Sequence, residues 1–129
     1  AKEFSAEADS EIKSIDQVED DDLILDIGPT TAKTYCDIIN QSNTIIWNGP
    51  LGVFEFKAFA EGTAALGKAV SENKGFSIVG GGDTVAVVEQ LKMGDSVSYI
   101  STGGGAFLDF VQNDTLPILD LLSNEGSTQ

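Results

Sequence analysis

Two runs of three glycines stand out among the 129 residues: Gly80, Gly81 and Gly82 in "SIVGGGDTVAVV", and Gly103, Gly104 and Gly105 in "YISTGGGAFLDFV". Each follows an apolar, β-branched stretch and precedes a helix-like pattern. Glycine lets a backbone approach a phosphate closely, and a helix behind it offers unpaired N–H groups and a favourable dipole. A triple glycine also suits a bare strand-to-helix turn. Two of them in one small domain, both at strand ends, favour anion binding. Neither the dinucleotide pattern Gly-x-Gly-x-x-Gly nor a Walker sequence with its lysine is present.

Asp83 places a negative charge where the first turn ends. As an N-cap it would contribute about 1 kcal/mol. Beside a polyphosphate it would be repelled unless a cation lay between, and Mg²⁺ is commonly held by one or two carboxylates together with substrate phosphates. Capping and metal binding can coexist at this position, with Thr84 assisting either. In "WNGPLGVFEF", Asn48 can hydrogen-bond a polar ligand group and Glu55 can accept from a pair of ribose hydroxyls. Trp47 and Phe54 read as packing anchors at a strand end. Cys36, the single cysteine, falls with Ala32, Tyr35 and Ile39 on one apolar helical face, which favours a buried packing thiol over a reactive one. The run "EDDD" at 19–22 lacks the alternation and glycine of a calcium loop and reads as a solvated turn.

These residues need elements to hold them. "LILDI" at 23–27 is a short apolar run closed by Gly28-Pro29, consistent with a strand buried on both faces. Pro29 and its two threonines open a helix to about residue 40, with Pro in the first turn and a Thr as cap. Further strands are expected at 43–49, 76–79 and 96–101. Helices are expected at about 59–73, 83–91, 105–113 and 116–122, with a polar tail over 123–129. In the helix at 59–73 Phe59, Leu66 and Val70 share a face, and Gly62 and Gly67 permit close packing on a sheet. Four alternations of strand and helix give an α/β fold, a parallel sheet of about four strands with flanking helices. In such sheets ligands bind beyond the carboxyl ends of the strands. The stretches "GPTT", "NGPLGVFE", "GGGDT" and "TGGGA" all fall there.

Composition narrows the partners. At 41% hydrophobic and 22% charged the chain has ordinary globular values, and its length suits one domain. A net charge of −14 disfavours nucleic acid and anionic membrane, both of which are bound through Lys and Arg. No apolar stretch is long enough to span a bilayer and no signal peptide is evident, so a cytoplasmic address is expected. There is no His, and all seven positive charges are lysines. A complete phosphoryl-transfer site needs cationic groups aimed at the phosphate, so this chain is expected to carry only part of one.

The motifs "WNGPLGVFE", "VGGGDT" and "STGGGAFLDF", in that order, with "AKEFSA" and "LDIGPTTA" upstream and "LP" near the end, closely resemble the carboxyl-terminal part of phosphoglycerate kinase. The resemblance runs from residue 1 to about 122. It implies a three-layer, Rossmann-like nucleotide-binding lobe, of which residues 1–129 would be a part. The implied reaction is phosphoryl transfer between 1,3-bisphosphoglycerate and Mg-ADP, giving 3-phosphoglycerate and Mg-ATP in glycolysis. By motif, Leu25 would flank the adenine; Asn48, Pro50, Gly52 and Val53 would line the nucleotide site; and Glu55 would hold the ribose. Gly81, Gly82, Asp83 and Thr84 would meet the phosphates and magnesium. Thr102, Gly103, Gly104 and Gly105 would place a helix amino terminus near the transferring phosphate. The parent is expected to be a monomer with an amino-terminal lobe that supplies the 3-phosphoglycerate site. That lobe and the first part of the nucleotide lobe have no counterpart here, so the fragment alone is expected to be inactive. The alternative is a self-contained nucleotide- or anion-binding α/β module; a receiver-like or flavodoxin-like domain would need loops that "LDIGPTT" does not supply. The reading frame upstream of Ala1 separates the first two.

Overall fold

The structure, a computed structural model, describes residues 1–114 together with residues 116 and 119. Three parallel strands form one sheet in the order β1 (Thr44–Asn48), β2 (Phe76–Gly80), β3 (Tyr99–Ser101). Helix α1 (Pro29–Gln41) precedes β1, α2 (Glu61–Glu72) links β1 to β2, α3 (Gly82–Gln90) links β2 to β3, and α4 (Gly105–Asn113) follows β3. The expected α/β class and parallel sheet are therefore present. The helix expected over 116–122 and the tail from 123 lie outside the described residues, apart from 116 and 119.

Consecutive parallel strands lying side by side put their crossover helices on one face. Ile45 and Trp47 of β1 and Val79 of β2 bury that face against Val70 of α2 and Val87 and Val88 of α3, with Met93 closing the end. Helix α1 packs on α2, and Ile39 reaches the same core. Phe59, Leu66 and Val70 are buried as their spacing implies, although Phe59 sits in a 3-10 turn, Lys57–Phe59, just before α2. Gly67 admits Leu91, Met93 and Trp47, where a Cβ would come within 2.6–3.3 Å of them. On the opposite face a Cβ at Gly80 would strike the Phe107 ring of α4 at 2.4 Å, while Ile46, Phe76 and Tyr99 are exposed.

The segment 23–27 is not a strand. Its backbone partners lie outside the sheet: Leu23 N–H donates to Ala1 O at 2.8 Å, and Leu25 O accepts from Val53 N–H at 2.8 Å. Ile24 is 77% exposed, so the run is not buried on both faces either. Strand β3 is shorter than the expected 96–101 because Ser77 and Ser98 exchange amide-to-hydroxyl bonds of 3.0 Å in place of ladder bonds. The cap of α1 is Gly28, with Pro29 at the first helical position and no threonine capping. Cys36 is half-buried, its thiol 3.5 Å from Ala65 O, and Tyr35 on the same helix is exposed. Trp47 is buried and Phe54 packs against the core, as anchors do.

Candidate functional site

Register puts the carboxyl ends of the strands in one row. Asn48 pairs with Gly80, and Gly80 pairs with Ser101. The loops 49–56, 81–84 and 102–105 all leave the sheet from that row, so the three stretches singled out in sequence share one edge of the molecule.

The β2–α3 turn is built by Gly81, the N-cap of α3, at φ +87° and ψ 139°. An L side chain rarely adopts that conformation, and a Cβ there would lie 2.7 Å from Asn48 Oδ1. The Asn48 side chain thus arches over the turn. Among the described residues no side chain caps α3, and its first backbone bond runs from Val85 N–H to Gly81 O, so the amides of the exposed Gly82 and Asp83 are left to the edge. Asp83 is the second helical residue and not the cap, a correction to one of its two expected roles. It is exposed, and among the described residues its carboxylate makes no hydrogen bond or ion pair. Thr84 is 0% exposed, and its hydroxyl accepts the Gly49 N–H at 2.5 Å. This ties the β2–α3 turn to the β1 loop.

That loop is held at alternate residues. Gly49 is fixed by Thr84, the Thr63 hydroxyl donates to Leu51 O, and Val53 N–H donates to Leu25 O. Gly52, at φ +63°, lies directly under the Leu25–Asp26 backbone, where a Cβ would come within 2.6 Å of Leu25 O. Leu25, Gly52 and Val53 are therefore in contact. Pro50 is half-buried, and Glu55 is exposed within the 53–56 turn closed by Phe56 N–H to Val53 O at 3.0 Å. The β3–α4 turn has Gly104 as N-cap at φ +57°, without a side-chain cap, and Gly103 N–H donates to Ser101 Oγ at 3.4 Å. Thr102, Gly103, Gly104 and Gly105 are all exposed.

Gly82 and Gly105 differ from their neighbours. Neither has a positive φ, and a Cβ on either would meet no protein atom within 4 Å. Backbone conformation and packing among the described residues leave glycine unexplained there.

Two features escaped the sequence. Asp26, read as part of a strand, accepts from Gly62 N–H at 2.9 Å through one carboxylate oxygen and from Ile27 N–H at 2.8 Å through the other, capping α2 from a distance. A Cβ at Gly62 would lie 2.4 Å from that carboxylate, so Gly62 serves this contact rather than packing on the sheet. A lone aspartate inside an apolar run was the available signal. The second is Thr63. A cavity of about 670 Å³ lies between the amino-terminal segment and helices α1 and α2, with Ile12, Ile27, Ala32 and Phe59 in its wall; of the expected site residues only Leu25 lines it.

The acidic run is a turn with residues 19–21 exposed, as expected, and it is also the centre of an ion-pair knot in which the Asp22 side chain is buried. Carboxylate oxygens of Glu19, Asp21 and Asp22 lie within 4.8 Å of one another, but Lys2 Nζ stands 2.8, 2.6 and 3.1 Å from them and Lys13 Nζ 2.8 Å from Asp22. The lysines supply the counter-charge a cation would. The Glu19 amide, then Lys13 and Lys2, hold the Asp22 carboxyl well below the ordinary carboxylate range, and the acidic partners raise both lysines.

Comparison with known proteins agrees with the geometry. The family model for phosphoglycerate kinase matches residues 1–114. The phosphoglycerate kinase of Coxiella burnetii is 44% identical with a TM-score of 0.89, over 100% of this chain and 33% of that one. That of Pyrococcus horikoshii OT3 is 40% identical with a TM-score of 0.68, over 78% of this chain and 25% of that one. The chain thus spans about a third or less of the length of these relatives, and with the family model covering most of its residues it belongs to the phosphoglycerate kinase family.

Proposed function

We propose that these residues form part of the nucleotide site of a kinase that transfers a phosphoryl group between 1,3-bisphosphoglycerate and Mg-ADP, giving 3-phosphoglycerate and Mg-ATP in glycolysis. The observation that carries the proposal is the row Asn48, Gly80, Ser101, from which three glycine-bearing loops leave on one edge. Two of those loops open uncapped helices whose amides point to the same edge, and Gly82 and Gly105 keep that edge free of side chains. A phosphate chain fits such a surface because backbone N–H groups and helix dipoles there favour negative charge.

The β-phosphate end of the nucleotide rests on the exposed amides of Gly82 and Asp83, with Thr84 buried behind them. The adenosine end lies along Leu25, Asn48, Pro50, Gly52 and Val53, with the Glu55 carboxylate accepting from the ribose hydroxyls. The α4 amino terminus, with Thr102, Gly103, Gly104 and Gly105, receives charge that builds on the transferring phosphoryl group. Magnesium fits the donor set, since Asp83 is an exposed carboxylate that has no hydrogen-bond or ion-pair partner among the described residues and stands beside a glycine turn, and Asp83 would hold it. The bound ion would neutralise phosphate charge during transfer. Glycerate binding falls to a separate lobe of a full-length protein, and the cationic clamps to that lobe and the first part of the nucleotide lobe; the full-length protein is expected to be monomeric and cytoplasmic. No helix among the described residues is long and apolar enough to cross a membrane.

Phosphoryl transfer rests on positioning and charge stabilisation, so the 129-residue chain by itself is expected to show no turnover above background in a coupled assay. In a full-length kinase carrying these residues, Asp83→Asn should leave stability within about 0.5 kcal/mol, as for an exposed residue with no contacts. It should weaken use of magnesium nucleotide and raise the magnesium concentration needed. Equal activity of parent and variant across a magnesium titration would remove Asp83 from the site.

A further inference from the structure

Thr63 belongs to none of the motifs that resemble a nucleotide site, yet it is tied to the loop that bears one. It is the third residue of α2 and 2% exposed. Its hydroxyl donates to Leu51 O, the middle of three ties that hold residues 49, 51 and 53. The outer ties come from α3, through Thr84, and from the 23–28 segment, through Leu25. The residue before it, Gly62, gives its N–H to Asp26, next to Leu25. The first turn of α2 therefore contacts both chain segments proposed to embrace the adenosine: the 25–27 segment through Gly62 and the 49–53 loop through Thr63.

We propose that Thr63 is a positioning residue for nucleotide binding, setting the height of Gly52, Val53 and Glu55 above the Gly81–Thr84 turn through the Leu51 carbonyl. The inference rests on the nucleotide reading above and adds a residue that does not itself touch the nucleotide. Without the middle tie, the loop is held only at residues 49 and 53, and its half-buried Leu51 carbonyl loses its partner. The turn from Val53 to Phe56 that carries Glu55 starts where that slack arrives. A threonine serving only to fill the α2 interface would instead be replaced by valine without effect on ligand.

The test uses a full-length kinase carrying these residues, with Thr63→Val, which keeps the shape and removes the hydroxyl, and Thr63→Ser, which keeps the hydroxyl. Thr63→Val should raise the KM for ADP by about tenfold, the scale of a lost hydrogen bond with a stranded acceptor, and leave the KM for 3-phosphoglycerate unchanged. Thr63→Ser should restore ADP binding. In the valine variant the Val53 amide should exchange faster with solvent while that of Val79 in the sheet does not. If Thr63→Val does not fold, Thr63→Ser and Thr63→Ala carry the same comparison, the first retaining ADP affinity and the second losing it. Parent-like ADP binding by the valine or alanine variant overturns the positioning role. ADP binding absent from the parent itself overturns the nucleotide reading and this inference with it, and is distinguished by that parent measurement.

Discussion

Gly81 and Gly82 are adjacent and of the same type, and the structure gives alanine opposite effects at the two positions. At Gly82 the backbone is helical, and a Cβ meets nothing within 4 Å. Replacing glycine at such a position stabilises by about 0.4–1 kcal/mol, because the unfolded chain loses freedom. For a domain of this size that raises the melting midpoint by about 2–4 °C. At Gly81 the φ of +87° is costly for any L side chain, and the Cβ would lie 2.7 Å from Asn48 Oδ1. Strain of this kind costs about 1–3 kcal/mol, a fall of about 4–12 °C. Ligand binding should separate from stability at Gly82. A methyl beside its amide holds a phosphate away, and loss of one hydrogen bond to a charged group, about 1.5–3 kcal/mol, lowers ADP affinity by about 10–100-fold. Thermal denaturation of both variants, followed by calorimetric titration of a full-length kinase carrying them with Mg-ADP, reads both effects. A Gly82→Ala variant that gains stability and keeps its ADP affinity would refute the reasoning that this glycine is kept clear for a ligand.

Two further outcomes follow from named contacts. Glu55→Gln preserves size in an exposed turn, so stability should hold while ADP affinity falls by about 1–2 kcal/mol; calorimetry showing unchanged affinity would make Glu55 a surface residue. Asp22 has a depressed folded-state pKa, so its contribution to stability is present above the unfolded value of about 3.9 and is lost as pH falls through the lower folded value. The ties from Lys2 and Lys13 should therefore persist at pH 5 and loosen below about pH 4, whereas Asp22→Asn should loosen the segment already at pH 7, as read by amide exchange of residues 1–22; loosening of the parent between pH 7 and 5 would contradict the ion-pair knot.

Much of the fold was legible because strand, glycine turn and helix recur with clear periodicity. β1 and β2 fall within a residue or so of expectation, since Ile45, Trp47 and Val79 mark a buried face, and α4 starts where its glycine turn ends. "LILDI" misled because a short apolar run does not reveal where its backbone bonds go, and here they go to Ala1 and Val53. The same error hid Asp26, whose carboxylate faces α2. Asp83 stands two positions beyond its expected N-cap place because Gly81 and Gly82, not the aspartate, make the turn. The ties at Thr84, Thr63 and Leu25 could not be read at all, being contacts between residues 12 to 35 positions apart. The acidic run was likewise read alone, without the lysines that meet it in space.

The central proposal is a nucleotide held on the turns that leave the row from Asn48 to Ser101. Titrating a ¹⁵N-labelled full-length kinase carrying these residues with Mg-ADP tests it most directly. The amides of Gly82, Asp83 and Thr84 should shift together with those of Gly52, Val53 and Glu55, saturating at one common ADP concentration, while Ala1 to Asp22 stay unmoved. Shifts confined to the amino-terminal segment and the cavity beside α1, with the glycine turns silent, would contradict it.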